Sequence, residues 1–179
     1  MRPLRRRLQI VYQDPYEALD PRFRVRQTLE EPLLIHTKMS RTQRQDAVIA
    51  ALETVGLTPA GTFLGRFPHG LSGGQRQRVA IAAALILEPD VLIADEPVSM
   101  LDVSVRAGIL DLLDRLRRER GLAILMITHD LATAARFADR IAVMYLGRIV
   151  EEGAAAEVVG QPRHPYTQAL LSVVPERDP

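Results

Sequence analysis

An α/β fold built on a parallel sheet is what this sequence predicts, and three observations predict it. LQIVY (8–12), VLIA (91–94) and AILMIT (123–128) are short runs that are apolar throughout. A strand buried on both faces reads as continuous apolar residues, whereas a half-exposed strand alternates. Helical stretches stand between these runs, and strands that alternate with helices build a parallel sheet covered on both faces. The length agrees, since 179 residues suffice for one compact domain with a real core but little more.

Each element has its own signals. In SRTQRQDAVIAALETVG (40–56), Ser40 and Gln43 form a capping box and Gly56 stops the helix. LSGGQRQRVAIAAALIL opens a second helix near Ser72. A long helix follows from about Val103 to Arg120, with Asp102 as its N-cap and Gly121 as its stop. DLATAARFA (130–138) reads as a short helix, RIAVMYL (140–146) as a strand, and GRIVEEG (147–153) as the return arm of a hairpin. The tail QPRHPYTQALLSVVP (161–175) is a short helix bounded by prolines. There is no internal repeat and no low-complexity linker.

Composition narrows the class of function. Apolar residues make up 47%, which excludes a disordered chain. Lys and Arg number 23 against 22 Asp and Glu, so bulk charge gives no reason to expect a nucleic-acid partner. The absence of cysteine excludes disulfides and thiolate metal sites and suits a reducing cytosol. The longest apolar runs, such as VAIAAALIL (79–87), fall far short of the ~18 residues of a membrane span. The basic start MRPLRRRLQIVYQ lacks a long enough apolar stretch for a signal peptide, so any membrane role is peripheral.

In open parallel sheets, ligands bind beyond the carboxyl ends of the strands. Those ends carry Gln13 after the first run, Asp95 and Glu96 after the second, and His129 after the third. Right-handed crossovers place them on one edge, which predicts a metal–nucleotide site. Singly, each has a plainer reading: the acidic pair as a helix cap, His129 as structural, Gln13 as nothing in particular. Pro97, however, holds the two carboxylates in a tight turn. An aspartate for a magnesium shell beside a glutamate that polarises water fits phosphoryl transfer.

Ser72-Gly73-Gly74-Gln75 also has two readings. Ser72 and Gln75 make a capping box, but that leaves unexplained two glycines that each cost ~1 kcal/mol of helix stability against alanine. Glycines at a helix start permit close approach, and the free N–H groups there favour an anion.

Taken in order, YQDP, LSGGQRQRV, VLIADEP, SMLD and ITHD resemble the ATP-binding cassette (ABC) ATPases over roughly residues 8–153. The resemblance implies a P-loop NTPase fold with Gln13 in the Q-loop, residues 71–75 as the signature and Val91–Glu96 as the Walker B strand. Ser99–Asp102 then matches the D-loop and His129 the switch histidine. It further implies ATP and Mg2+ as cofactors. Glu96 would be the general base, His129 would steady the γ-phosphate, and Asp95 and Gln13 would attend the metal. Ser72, Gly73, Gly74 and Gln75, with Asp102, would be the cofactor-binding residues, acting on ATP held by a second ATPase subunit.

QDPYEALDPR (13–22), PVSMLDVSVRAGIL (97–110) and HPYTQALLSVVP (164–175) carry a narrower resemblance, to the branch that imports peptides, nickel and related solutes. The implied partners are two transmembrane permease subunits, docked on residues 14–71, and an extracytoplasmic solute-binding protein. The place of work would be the cytoplasmic face of the cell membrane. The implied division is a cassette over 1–153, with a helical subdomain at about 14–88, and a C-terminal extension over 154–179.

Met100 and Gly70 depart from the pattern, where alanine and glutamate are usual. No GxxxxGK[ST] occurs; GRFPHGLS (65–72) has its glycine and serine spacing but Leu71 in place of lysine. The chain is therefore expected to be an N-terminally truncated cassette, inactive by itself. A shortened gene, a misplaced start, or the last part of a longer or tandem protein would each produce it. Two rivals stand. A DNA-repair cassette needs a long coiled-coil insertion between Gln13 and Leu71, which is absent. A non-catalytic remnant would only pair with an intact partner.

Overall fold

The computed structural model describes residues 2–172, so the last residues of the tail reading, 173–175, lie outside the described residues. The chain forms two compact units, one ending at Ile127 and one starting at Thr128.

The first unit contains α1 (Arg2–Arg7), β1 (Leu8–Val11), α2 (Pro15–Ala18), α3 (Val25–His36), α4 (Arg41–Thr54), α5 (Gly61–Leu64), α6 (Gly73–Leu85), β2 (Val91–Asp95), α7 (Val103–Arg120) and β3 (Ala123–Ile127). The strands pair in parallel in the order β1-β2-β3. Register places Ile10, Ile93 and Leu125 in one row and Val11, Ala94 and Met126 in the next, so the rows alternate between faces.

One face is covered. Val11, Leu92 and Ala94 are buried on it, and Val11 and Leu92 share a single core with Leu29, Leu33, Leu52, Ile81, Ile109 and Leu113 from α3, α4, α6 and α7. The other face is open at its outer strands, where Ile10 is 40%, Leu125 58% and Ile127 49% exposed, while Ile93 between them is half-buried. This corrects the expectation of a sheet covered on both faces. A run that is apolar throughout offers both faces for burial, and nothing in the run says whether both are used.

α6 is the hub of the unit. Its residues Arg76, Gln77, Val79–Ala82, Ala84 and Leu85 are buried, and it packs on α2, α3, α4, α7 and β1. Capping boxes form at both predicted helix starts. Gln43 and Ser40 exchange bonds of 3.2 and 2.8 Å, and Gln75 and Ser72 bonds of 3.3 and 3.1 Å. The C-terminal end of α4 draws three cations. Arg78 donates to the Val55 carbonyl, Arg115 to the Thr54 carbonyl at 2.9 Å, and Arg120 to the Thr54 hydroxyl at 2.9 Å. Positive charge at a helix C-terminus complements its dipole. Burial first, and Arg115 second, lower the pKa of Arg78.

In the second unit, α8 (Leu131–Phe137) precedes an antiparallel hairpin of β4 (Arg140–Tyr145) and β5 (Arg148–Ala154), followed by α9 (Ala155–Gly160) and α10 (Pro165–Ser172). Leu146 and Gly147 turn the hairpin at φ 47° and 76°, a pair of positive values that matches the strands' twist. Ile141, Val143, Ala155 and Val158 form its core.

The HPYT motif ties α10 to the hairpin. The Glu151 carboxylate accepts from the backbone N–H groups of Arg163 (2.8 Å) and His164 (3.1 Å). The Tyr166 N–H donates to His164 Nδ1 at 3.1 Å, and the Tyr166 ring lies 4.4 Å from that of Tyr145. Thr167 is fully buried; its hydroxyl acts on Glu151 while falling short of hydrogen-bonding geometry. Thr167 first, then the Arg163 and His164 N–H groups, hold the Glu151 pKa below its ordinary value.

Candidate functional site

Two parallel crossovers bring the ends of β1 and β2 to one edge of the sheet, and residues 83 apart in sequence meet there. Gln13 Nε2 donates to Glu96 Oε2 at 3.2 Å. Glu96 holds φ at 42°, a left-handed value that costs a residue other than glycine about 1–3 kcal/mol. Its backbone is fixed from both sides. The Glu96 N–H donates to the Ile127 carbonyl at 2.9 Å, and its carbonyl accepts from the Ser99 N–H (3.2 Å) and hydroxyl (3.1 Å). Asp95, the last residue of β2, lies opposite Ile127 and is half-buried.

The donor set has the chemistry of a hard cation site: two adjacent carboxylates and an amide oxygen. Among the described residues no three His, Cys, Asp or Glu form a metal-binding cluster.

The Ser72–Gln75 turn is built separately, at the start of α6. Arg76 reaches back from the first turn and its Nη2 donates to the Leu71 carbonyl at 2.9 Å. Its guanidinium is buried, and Nε and Nη1 have no hydrogen-bond partner. The face of Tyr16 lies 3.5 Å from the guanidinium carbon and offsets that charge through its ring quadrupole. Asp14 in turn caps α2 by accepting from the Tyr16 N–H at 2.7 Å.

Asp102 precedes α7 as predicted, but its side chain makes no capping bond. Its carbonyl accepts from Val105 and Arg106, both at 2.9 Å. Arg106 holds the preceding turn by donating to the carbonyls of Leu101 (2.7 Å) and Ser99 (3.3 Å). His129 belongs to the second unit, beside Asp130, which caps α8 through the N–H groups of Ala132 and Thr133. The Asp130 pKa falls below its ordinary value: burial, the largest influence, opposes the shift, while the Thr133 hydroxyl, the two N–H groups and His129 outweigh it.

Tyr16, Arg76 and Val105 are the residues that motif reading passed over. Val105 was within reach, since it sits four residues before Ile109 on the apolar face of α7. No local pattern pairs Tyr16 with Arg76.

Residues 1–99 match the family described as ABC transporter, and residues 150–179 match the oligopeptide/dipeptide transporter C-terminal region. The chain belongs to the ABC transporter family. It is 53% identical over 175 residues to the dipeptide transport ATP-binding protein DppF of Escherichia coli (strain K12), covering 98% of this chain and 52% of that protein. It is 49% identical over 179 residues to the oligopeptide transport ATP-binding protein OppF of the same organism, at 99% and 53% coverage. The glutathione import ATP-binding protein GsiA of Salmonella typhimurium (strain LT2) is 51% identical over 179 residues, 100% of this chain and 28% of that one. The chain thus spans about half the length, or less, of these curated relatives.

Solved ABC cassettes share its fold. One is cbiO1 from Clostridium perfringens, part of the transporter complex cbiONQ, at TM-score 0.79 and 31% identity over 96% of this chain and 69% of that one. Another is the dimeric post-hydrolysis state of MJ0796 bound to ADP and Pi, at TM-score 0.73 and 32% identity over 84% and 64%. The expected α/β cassette fold and family membership are thereby established. Among the described residues no helix is long and apolar enough to cross a membrane.

Proposed function

We propose that this chain is the nucleotide-binding part of an importer for peptides, nickel or a related solute, with residues 1–153 as cassette sequence and 154–179 as its extension. The observation that carries the reading is the bond between Gln13 and Glu96 at the carboxyl edge of the sheet. A polar sensor and a strained carboxylate meet there, where a bound phosphate would lie.

In this reading Glu96 takes the proton from the attacking water and His129 steadies the outer phosphate. Asp95, through water, and Gln13 would hold magnesium, which supplies charge neutralisation to the phosphate oxygens when bound. The turn Ser72–Gln75, with the N–H groups of Gly73 and Gly74, faces a nucleotide held by a second cassette, with Asp102 beside the same interface. Gln13 reports the state of that nucleotide to two permease subunits docked on residues 14–71, at the cytoplasmic face of the membrane. An extracytoplasmic binding protein delivers the solute. Purification from native membranes should recover polytopic permease subunits with the chain; recovery of DNA or ribosomes in their place overturns the reading.

As an isolated polypeptide the chain is expected neither to bind ATP tightly nor to hydrolyse it. The sequence has no GxxxxGK[ST] loop to give the β- and γ-phosphates their N–H groups and lysine. A helix N-terminus contributes at most ~2 kcal/mol, against the ~8 kcal/mol of micromolar affinity. Titration calorimetry with Mg-ATP tests this, and a micromolar dissociation constant with steady turnover refutes it.

A further inference from the structure

Gly74 is a glycine because of its own chain. A Cβ built on it would stand 2.5 Å from Val105 Cγ1, and 3.8 Å from Val105 Cβ and Cγ2. Gly73, one residue earlier, has room: a Cβ there would meet Leu101 Cδ2 at 3.5 Å, an ordinary contact. Val105 cannot step aside cheaply. It is β-branched, which restricts its side-chain rotation in a helix. Its N–H is bonded to the Asp102 carbonyl in the first turn of α7, and its side chain packs on the core. Leu101, buried beneath Gly73, belongs to the turn that Arg106 ties to α7.

We infer that Val105 is a positioning residue: it seats the start of α6 against the start of α7, so that Ser72–Gln75 and Ser99–Asp102 form one rigid body. The glycine at 74 is then required by the approach of α7. The phosphate-facing role of the turn rests on the function proposed above; the positioning itself does not. An alanine within a helix ordinarily strengthens it relative to glycine. At Gly74 the sign reverses, and at Gly73 it does not.

The test compares the unmodified chain with Gly73→Ala, Gly74→Ala, Val105→Ala and the double variant Gly74→Ala/Val105→Ala. Amide hydrogen exchange and thermal unfolding are read first. Gly74→Ala should lower the midpoint and speed exchange at least tenfold across both 72–79 and 99–106, while Gly73→Ala does neither. The double variant should recover protection to within threefold of the unmodified chain. If Gly74→Ala does not fold, folding of the double variant is itself the rescue. Unchanged exchange in Gly74→Ala, or a double variant no better than the single one, overturns the inference.

Mg-ATP-dependent association with an intact cassette subunit is read second, for Gly74→Ala and the double variant alone, and should fall in the first and recover in the second. A double variant that regains protection yet does not associate shows that the glycine also serves the phosphate, and overturns the claim that the approach of α7 alone requires it. If the unmodified chain does not associate at all, the proposed pairing fails, and the exchange pattern alone decides the role of Val105.

Discussion

The signature turn is held chiefly by side chains, and the strand-end glutamate chiefly by its backbone. Around Ser72 the restraints pile up: a reciprocal cap with Gln75, the reach of Arg76 to the Leu71 carbonyl, the ring of Tyr16 over that guanidinium, and the packing of Leu101 and Val105 on the two glycines. At the strand ends the Glu96 backbone is pinned in a left-handed conformation, and its carboxylate accepts from the exposed Gln13 at 3.2 Å. The turn is finished before any ligand arrives. The carboxylate is aimed by a backbone that its neighbours fix on both sides.

The largest expected effect falls on the strand-end carboxylate. In a version of the protein carrying a GxxxxGK[ST] loop, Glu96→Gln should lower ATP turnover by ~10²–10⁴, as loss of a general base does. ATP binding should be retained, since the amide keeps the size and the neighbours of the carboxylate. Steady-state phosphate release checks it, and parental turnover would place the base elsewhere.

The restrained side should answer in stability. Tyr16→Leu removes the ring over a buried cation and should destabilise the chain by ~2 kcal/mol in denaturant unfolding, the range for a desolvated cation–π pair. Tyr16→Phe keeps the ring face and should stay within a few tenths of the unmodified value. Equal losses for Leu and Phe would assign the effect to the hydroxyl. Ser72→Ala, which removes the cap on α6, should cost about 1 kcal/mol, measured the same way.

The smallest effect belongs to the second unit and depends on pH. Folding lowers the Glu151 pKa, so its contribution is complete above the ordinary carboxylate range. It is lost as pH falls through the lowered value. Exchange protection of amides 165–172 should fall in acid before that of β4 and β5, and Glu151→Gln should remove that difference.

Much of this was legible beforehand where the signal was local. Helix α7 runs from Val103 to Arg120 and stops at Gly121, whose φ is 63°, as its glycine and flanking pattern required. Ser40 and Ser72 cap as their Gln partners indicated. Helix α3 was hidden. Its N-cap is Arg24, whose N–H bonds Gln27 Oε1 at 2.9 Å, and Pro32 interrupts its interior. Neither announces a helix, and only the burial of Val25, Leu29 and Leu33 commits the segment. The pairings that define the site surroundings, Tyr16 with Arg76 and Gly74 with Val105, are long-range contacts. Sequence spacing does not encode which side chain fills which gap. The HPYT run was visible as a motif, yet its acceptor, Glu151, lies in a strand that gave no hint of the connection.

The register of the sheet also sets an order of events in time. Leu8 of β1 lies beside Val91 of β2, a separation of 83 residues, and β1 has no other strand partner among the described residues. At about 5–20 residues per second of synthesis, β1 waits roughly 4–17 s before its neighbour exists. Ile10 and its row stay open to water throughout that interval, whereas α3 and α4 can pair as soon as both are made. The pairing of α3 with α4 can therefore precede that of the strand that delivers Gln13 with its neighbour.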